Sequence, residues 1–182
     1  FGNKGNDVIY AGDGNNTVFG GGPSSEDGND IIVTGSGDDI VYGNAGNDSI
    51  STGAGNDQLS GDEGNDTLEG GSGADKYIFG QASGNDHVIG FNFAEGDRLF
   101  LQGQTFNLMA SSDGDALLVL SGGGTIELDG VAHAAFSSNF VASRYVRGFG
   151  TATTLSEPRN SCCAVRSVMG CRSSRIVGTM LT

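Results

Sequence analysis

The chain has 182 residues and a formal net charge of −13, and 33 of its residues are Gly. The charge is unevenly divided, because residues 1–141 hold 21 acidic and three basic residues, whereas residues 142–182 hold six Arg and one acid. An acidic body excludes nucleic acid and anionic membrane surfaces as partners, since both are bound through Lys and Arg. No apolar run reaches the roughly 18 residues of a membrane span. The composition therefore favours a small cation as the partner of the body.

A nine-residue repeat fills the first half of the chain, and its period is more informative than the composition. Counting from Gly2, the copies are GNKGNDVIY, AGDGNNTVF, GGG with GNDIIV, TGSGDDIVY, GNAGNDSIS, TGAGNDQLS, GDEGNDTLE, GGSGADKYI and QASGNDHVI. Residues 23–27 interrupt the third copy, and residues 79–80 precede the last one. The fourth position is always Gly, the eighth is always apolar, and the sixth is Asp in every copy except the second, which has Asn16.

Each position of the repeat predicts a local structure. Gly at the fourth position, with Gly, Asn or Asp common at the second, tolerates positive φ and predicts a tight turn. The last three residues predict a short strand whose middle side chain points inward and whose outer two point outward. One inward apolar residue per copy cannot bury a core, so the copies must stack. We therefore predict an all-β fold that begins with a parallel β-roll, a two-sheet solenoid, over residues 1–89.

Stacking would arrange the aspartates in columns. If two copies make one coil, residues 18 apart lie directly above each other at about 4.8 Å. The pairs with this spacing are Asp30/Asp48, Asp48/Asp66, Asp39/Asp57 and Asp57/Asp75. Such columns repel unless a cation lies between them, and Ca²⁺, with six to eight hard oxygen ligands, fits better than Mg²⁺ or Zn²⁺. A solvated acidic face or metal-free Asx turns are the alternative, but they do not account for the register.

The repeat resembles the G-G-x-G-x-D-x-U-x nonapeptide of the RTX (hemolysin-type) calcium-binding family over residues 2–89. The segments GGSGADKYIFG and HVIGFNFAEGDRLFL are similar to the closing repeat and cap of that family, which extends the resemblance to about Val141. The chain opens within a motif at Phe1, so we interpret it as a C-terminal fragment of a larger secreted bacterial protein.

The resemblance also implies the ligands. In this family each Ca²⁺ lies between stacked turns, held by two sixth-position Asp and by carbonyls of the first four positions. The aspartates carried over are Asp7, Asp30, Asp39, Asp48, Asp57, Asp66, Asp75 and Asp86. The carbonyls carried over are those of Gly35, Gly37, Gly43, Asn44, Ala45, Gly46, Thr52, Gly53, Ala54, Gly55, Gly61, Asp62, Glu63, Gly64, Gly70 and Ser72. Four sites follow from the uninterrupted pairs, and up to seven if Asp66/Asp86, Asp7/Asp30 and Asn16/Asp39, which span insertions, are added.

Residues 90–141 predict a β-strand cap that covers the last coil, as the ends of solenoids require. A β-hairpin is expected from Ala116–Leu120 and Thr125–Leu128, joined by Ser121–Gly124. Strand positions of a capping sheet are predicted for Phe91, Phe93, Leu99 and Leu101. Surface carboxylates, with an additional Ca²⁺ site as the alternative, are predicted for Asp97, Asp113, Asp115 and Asp129.

Residues 142–182 share nothing with the repeats, and we predict a disordered basic tail. Its position fits a C-terminal signal for type I secretion, but its Arg and Cys content fits an artificial or out-of-frame extension equally well. The three Cys of the chain, Cys162, Cys163 and Cys171, lack the fourth ligand of a usual zinc site.

The sequence contains no H-E-x-x-H, G-x-S-x-G or P-loop motif. We interpret His87 and His133 as isolated surface or cap residues, and we predict a non-catalytic module.

The outward positions of the strands change character along the roll. They are apolar or aromatic in early copies and polar in later ones, so the first coils are expected to pack against an upstream domain of the same polypeptide. The early set is Val8, Tyr10, Phe19, Ile31, Val33, Ile40 and Tyr42, and the late set is Ser49, Ser51, Gln58, Ser60, Thr67 and Glu69. A sugar-binding face that uses Tyr10 and Tyr42 is the alternative.

The predicted function is Ca²⁺ binding coupled to folding outside the cell, at Ca²⁺ concentrations on the order of 10⁻⁴–10⁻³ M. The family resemblance implies export of the unfolded chain by a bacterial type I secretion system and stabilisation of an attached effector. The alternatives are a carbohydrate-binding or adhesive module, and the non-catalytic tail of a secreted protease, lipase or alginate epimerase.

Overall fold

The structure is a computed structural model that describes residues 1–22 and 27–136, and these residues form an all-β fold. The strands of the roll are β1 (Val8–Gly12), β2 (Thr17–Phe19), β3 (Ile31–Thr34), β4 (Ile40–Tyr42), β5 (Ser49–Ser51), β6 (Gln58–Ser60), β7 (Thr67–Glu69), β8 (Lys76–Ile78) and β9 (Asn85–Ile89). The later strands are β10 (Arg98–Phe100), β11 (Phe106–Ala110), β12 (Asp115–Leu120) and β13 (Thr125–Ala132).

Successive strands of the roll alternate between two parallel sheets, as the repeat predicts. One sheet has eight strands in the order β1-β3-β5-β7-β9-β13-β12-β11, and the other has five in the order β10-β8-β6-β4-β2. The spacing of 18 residues sets the register, for example Ile32 opposite Ile50 and Val41 opposite Leu59. The inserted residues do not break this register, because Val8 pairs with Ile31 across the five-residue interruption.

The interior of the roll is a double column of eighth-position side chains. Their burial follows from the three-residue strands, in which only the middle side chain can point between the sheets. The buried members are Val18, Ile32, Val41, Ile50, Leu59, Leu68, Tyr77 and Val88. Removing each aliphatic side chain from water contributes on the order of 1.5–3 kcal/mol. No single coil holds more than two of them, which is why the stack and not the coil is the folding unit.

Both sheets continue past Ile89 into the predicted cap. β10 pairs in parallel with β8, and β13 pairs in parallel with β9. β12 and β11 then extend the larger sheet in antiparallel fashion, so the predicted hairpin is confirmed. The division of the chain at residue 89 stays a prediction, although the parallel pairing extends beyond it.

One prediction for the cap is wrong. The strand prediction fails for Phe91, Phe93 and Leu101, which lie outside the strands, and holds for Leu99, which lies in β10 and pairs with β8. The reason is a turn over residues 92–97, in which the side chain of Asn92 accepts a hydrogen bond from the amide of Ala94 at 3.0 Å. The two Phe rings instead pack edge to face, 5.0 Å apart, over the end of the core.

The predicted tail, with Cys162, Cys163 and Cys171, lies outside the described residues, as do residues 137–141 of the predicted cap. In the part of the chain that the structure describes, no helix is long and apolar enough to cross a membrane.

Candidate metal centre

The sixth-position residues form two continuous columns in which each carboxylate is fixed by the coil before it. Oδ1 of Asp48 accepts a hydrogen bond from the amide of Asp30 at 2.8 Å, and Oδ1 of Asp66 accepts one from the amide of Asp48 at 2.8 Å. The same bond recurs throughout. The first column is Asp7, Asp30, Asp48, Asp66 and Asp86, and the second is Asn16, Asp39, Asp57, Asp75 and Asp97. The structure therefore stacks all of the predicted pairs, including those that span insertions.

The second oxygen of these carboxylates is buried without a hydrogen-bond partner. This holds for Oδ2 of Asp7, Asp30, Asp39, Asp48, Asp57, Asp66, Asp75 and Asp86. Buried charged oxygens without partners are costly, so two rows of them suit side chains that bind a cation. All eight aspartates predicted as Ca²⁺ ligands have such an orphaned oxygen, although their ligation itself stays a prediction.

Beside Oδ2 of Asp30 and of Asp48, a small space is kept free by Gly at the first position of the repeat, namely Gly20 and Gly43. A Cβ built on Gly43 would overlap Oδ2 of Asp48 and would lie 2.8 Å from the carbonyl oxygen of Gly61. A Cβ on Gly20 would likewise overlap Oδ2 of Asp30 and lie 2.5 Å from the carbonyl oxygen of Gly43. Each space is thus bounded by a carboxylate oxygen and a main-chain carbonyl oxygen, and a set of hard oxygen donors suits Ca²⁺.

Asn16, the one departure from Asp, shows where the carbonyls of a turn point. Its Nδ2 donates hydrogen bonds to the carbonyl oxygens of Gly12 at 3.0 Å and Gly14 at 2.6 Å. These carbonyls belong to the second and fourth positions of the same copy, so the turn directs them towards the sixth side chain. The amide group therefore occupies, in this copy, the place that a cation would take beside a carboxylate.

Burial and mutual repulsion make the metal-free columns prefer protons. Desolvation is the largest cause, and it raises the pKa of Asp66 to about 7 and the pKa of Asp48 to about 6. The pKa values of Asp75 and Asp86 are each raised to about 6 for the same reason. Neighbouring carboxylates add to the shift, as Asp86 and Asp48 do for Asp66. A divalent cation would replace these protons.

Most of the carbonyl oxygens that the resemblance implies as ligands have a neighbour in another coil, and their binding of metal stays a prediction. The second-position carbonyls of Gly35, Asn44 and Gly53 accept hydrogen bonds from amides of the next coil. The third-position carbonyls of Ala54, Glu63 and Ser72 accept hydrogen bonds from amides of the preceding coil. The carbonyls of Thr52 and Gly70 accept bonds from the hydroxyls of Thr34 and Thr52. Those at the fourth position, such as Gly46, lie so close to the Gly of the next coil that a Cβ there would overlap them.

Two aspartates that were not predicted as column members lie beside or within the columns. Asp27, which lies in the insertion, has a buried Oδ2 without a partner, and its charge raises the pKa values of Asp30 and Asp48. Asp97 is 1% exposed, so its interpretation as a surface carboxylate is wrong. It closes the second column, because its Oδ1 accepts a hydrogen bond from the amide of Asp75. Its Oδ2 accepts a hydrogen bond from the amide of Asn92. The Gly-Asp-x-Leu sequence at residues 96–99 was the signal for it.

A second ladder, at the fifth position, was also missed. Oδ1 of Asn47 accepts the amide of Asn65 at 2.8 Å, and Oδ1 of Asn29 accepts the amide of Asn47 at 2.8 Å. Fifth-position side chains therefore bond to the following coil, whereas sixth-position carboxylates bond to the preceding one. Asn at seven of the nine fifth positions was the available signal.

The remaining predicted residues lie on the surface or in the cap. Asp113 is exposed, and Asp115 accepts the amide of Gly130 at 3.0 Å. His133 is half-buried. His87 is exposed but is not isolated, because its Nδ1 lies 3.2 Å from Oδ1 of Asp129; the two residues are brought together by the parallel pairing of β9 and β13.

A family model described as RTX calcium-binding nonapeptide repeat (4 copies) matches residues 1–22, 24–59 and 51–81. These residues belong to this family of calcium-binding repeats. The matched residues contain seven of the eight predicted aspartates, and only Asp86 lies beyond them. RTX repeats bind Ca²⁺ and are non-catalytic, and proteins that carry them are typically extracellular.

Solved structures similar to this RTX chain include two solution structures from the Azotobacter vinelandii mannuronan C5-epimerase. The AlgE6R3 subunit is 20% identical, with 99% of this chain and 94% of that chain covered at a TM-score of 0.44. The AlgE6R2 subunit is 23% identical, with 80% and 95% covered at a TM-score of 0.40. No curated protein matches the chain at a significant level.

Proposed function

We propose that this RTX chain is an extracellular module whose folding is switched on by Ca²⁺. The observation that carries the proposal is the double row of buried Oδ2 atoms without hydrogen-bond partners. Without a cation these carboxylates repel one another, and the Gly-rich turns lose much conformational entropy on folding. With Ca²⁺ between the coils, the repulsion becomes attraction, so that metal binding and stacking occur together.

The far-UV circular dichroism of the full chain, titrated with Ca²⁺ from a chelated start and with Mg²⁺ as a control, tests this proposal. We expect a cooperative coil-to-β transition with Ca²⁺ alone. A chain that is already β-structured in chelator, or one that responds equally to Mg²⁺, would contradict the proposal.

A charge-neutralising substitution tests whether the sixth-position aspartates bind the Ca²⁺ ions. Asp48→Asn removes a carboxylate that bounds two successive sites, and we expect the Ca²⁺ midpoint to rise about tenfold, because ligand charge sets Ca²⁺ affinity. Asp38→Asn is the matched control. It removes the same charge at the fifth position, where Asn is the usual residue and Oδ1 can still accept the amide of Asn56. Equal midpoints for the two variants would show that the sixth-position column does not bind the ions.

We propose further that the switch assists type I secretion and stabilises an attached effector. Support comes from the charge columns, which would keep the chain open at low cytoplasmic Ca²⁺ and close it outside the cell. The measurement is export of a reporter fused to the chain through a type I exporter. Unchanged export and unchanged reporter stability when the column aspartates are replaced by Asn would exclude this role.

A polysaccharide-binding face is the second candidate function, and the strand positions favour a different set of residues for it than Tyr10 with Tyr42. Tyr10 lies on β1 of the eight-stranded sheet and Tyr42 on β4 of the other sheet, so the two cannot form one face. Tyr42 instead continues an aromatic stack, with ring centroids 4.8 Å apart for Phe1–Phe19 and 5.1 Å apart for Phe19–Tyr42. Sugar rings pack on such surfaces. If the stack binds a polysaccharide, Phe19→Ala abolishes binding and Tyr10→Ala does not; equal effects would exclude the stack.

A further inference from the structure

A histidine and two carboxylates meet on the outer face of the eight-stranded sheet, where the cap joins the roll. His87 lies on β9, and Glu127 and Asp129 lie on β13. Nδ1 of His87 is 3.2 Å from Oδ1 of Asp129 and 3.8 Å from Oε2 of Glu127, and the three atoms all lie within 4.8 Å of one another. The parallel register fixes the arrangement, because Glu127 is directly opposite His87 and Asp129 follows on the same face.

The two separations from Nδ1 of His87 suit ligands of one first-row transition-metal ion. Zn²⁺ binds His nitrogen and carboxylate oxygen at about 2.0–2.2 Å, so two ligand atoms of a tetrahedral ion are about 3.4 Å apart. The two distances from Nδ1 of His87 lie on either side of that value. The imidazole also distinguishes this cluster chemically from the aspartate columns. Ca²⁺ is bound through oxygen alone, whereas imidazole suits Zn²⁺ and similar ions.

The cross-strand neighbours of the cluster do not neutralise the negative charge of its two carboxylates. The cross-strand neighbours on the outer face are Thr67 beside His87, Ile89 beside Asp129 and Leu117 beside Glu127, and none of them is charged. The side chain of His87 is half-exposed, so an ion from solvent can reach its ring. A divalent ion would supply the positive charge that these three neighbours lack.

We propose that His87, Glu127 and Asp129 bind Zn²⁺ or a chemically similar transition-metal ion and thereby clamp the cap to the roll. The imidazole binds in its neutral form through Nδ1 with its proton on Nε2, and water completes the coordination. Because one ligand comes from β9 and two come from β13, metal binding stabilises the pairing of these strands. This site is independent of the Ca²⁺ switch and forms only after the roll has folded.

Calorimetric titration with Zn²⁺, on the full chain in saturating Ca²⁺, tests the proposal. Cys162, Cys163 and Cys171 are replaced by Ser in all samples, so that thiolates cannot compete for the ion. We expect one Zn²⁺ per chain, and His87→Ala should weaken binding about tenfold or more, since even second-sphere losses at metal sites reach that size. His133→Ala is the matched control and should bind as the parent does. Absent binding, or equal affinity in His87→Ala and the parent, would overturn the proposal.

A second measurement uses the parent protein, so it does not depend on whether a variant folds. The imidazole resonances of His87 in the parent should shift on Zn²⁺ addition while those of His133 stay in place. Zn²⁺ should also raise the unfolding temperature of the parent in Ca²⁺, and it should not raise that of Glu127→Gln, which keeps the shape of the side chain. Resonance shifts at His133 alone would overturn the site. An equal rise in the unfolding temperatures of the parent and of Glu127→Gln would also overturn it.

Discussion

Each column aspartate uses its two carboxylate oxygens differently, and this division explains the residue type. Oδ1 is occupied by a backbone amide of the preceding coil, as in Asp57, whose Oδ1 accepts the amide of Asp39. Oδ2 is left for a cation. Asn lacks the charge for the second role, and in Asn16 the amide group donates to the turn's own carbonyls instead. In the copies of Asp30 and Asp48, Gly at the first position leaves space beside Oδ2.

The space beside Gly43 leads to a prediction about the addition of one methyl group. Gly43→Ala introduces a Cβ that overlaps Oδ2 of Asp48 and approaches the carbonyl oxygen of Gly61, so we expect a loss of Ca²⁺ affinity of about tenfold, which corresponds to about 1.4 kcal/mol. Gly80→Ala is the control, because its Cβ would meet only Oε1 of Gln102 at 3.5 Å, an ordinary contact. Calcium midpoints followed by circular dichroism compare the two. Equal midpoints would mean that no ion lies beside Gly43.

At the scale of elements, the roll and the cap are joined through both sheets and through one buried side chain. Gln104 is buried between them. Its Nε2 donates to the carbonyl oxygens of Gly80 at 2.5 Å and Phe79 at 3.3 Å, and its Oε1 accepts the amide of Gly122 at 3.1 Å. The residue thus connects the end of β8, the turn before β11 and the β12–β13 turn.

Removal of this connection should loosen the cap. Gln104→Ala leaves the Gly122 amide and the Gly80 carbonyl without their partner, which costs about 1–3 kcal/mol. We expect the free energy of unfolding in saturating Ca²⁺, measured with urea, to fall by that amount. Gln81→Ala, at an exposed position of the same region, should change it little. A loss of the same size in both variants would show that Gln104 has no special role.

At the scale of the molecule, the metal-free roll and the Ca²⁺-loaded roll respond to pH in opposite directions. The raised pKa values mean that the folded metal-free state holds protons that the unfolded chain has released. The pKa of Asp66 is raised to about 7 and those of Asp48, Asp75 and Asp86 to about 6, from the ordinary value of 3.8. The stability from protonation is therefore full below about pH 3.8 and is lost as pH rises through 6–7.

We expect the chain without Ca²⁺ to gain β-structure when the pH is lowered from 7.5 to 4.5. With Ca²⁺ the trend reverses, because protons compete with the ion for the same oxygens. Circular dichroism at the two pH values, with and without Ca²⁺, measures both effects. Asp66→Asn should reduce the acid effect, since it removes the carboxyl whose pKa is raised most among those with a stated value. Loss of β-structure on acidification without Ca²⁺ would contradict this account.

Predictions from the sequence succeeded where the repeat was intact. The register of 18 residues follows from a fixed period, so Asp30, Asp48 and Asp66 could be placed in one column without coordinates. They failed for two aspartates that lie outside the nine copies. Asp97 lies 22 residues after Asp75, and Asp27 lies inside an insertion, so no spacing rule assigned either one. Tyr10 and Tyr42 were grouped by residue type although alternation between sheets separates them.

The sequence by itself determined the all-β roll, the inward column of apolar residues and the rows of carboxylates, because all three repeat locally with one period. Only the tertiary structure decided which carboxylate oxygens lack partners, how the cap continues both sheets, and that His87 meets Glu127 and Asp129. These features depend on residues that are far apart in the chain, such as 87 and 129, and no local pattern encodes their distance. The physical reason is that a solenoid propagates by contacts between neighbouring coils, whereas its end is closed by long-range pairing.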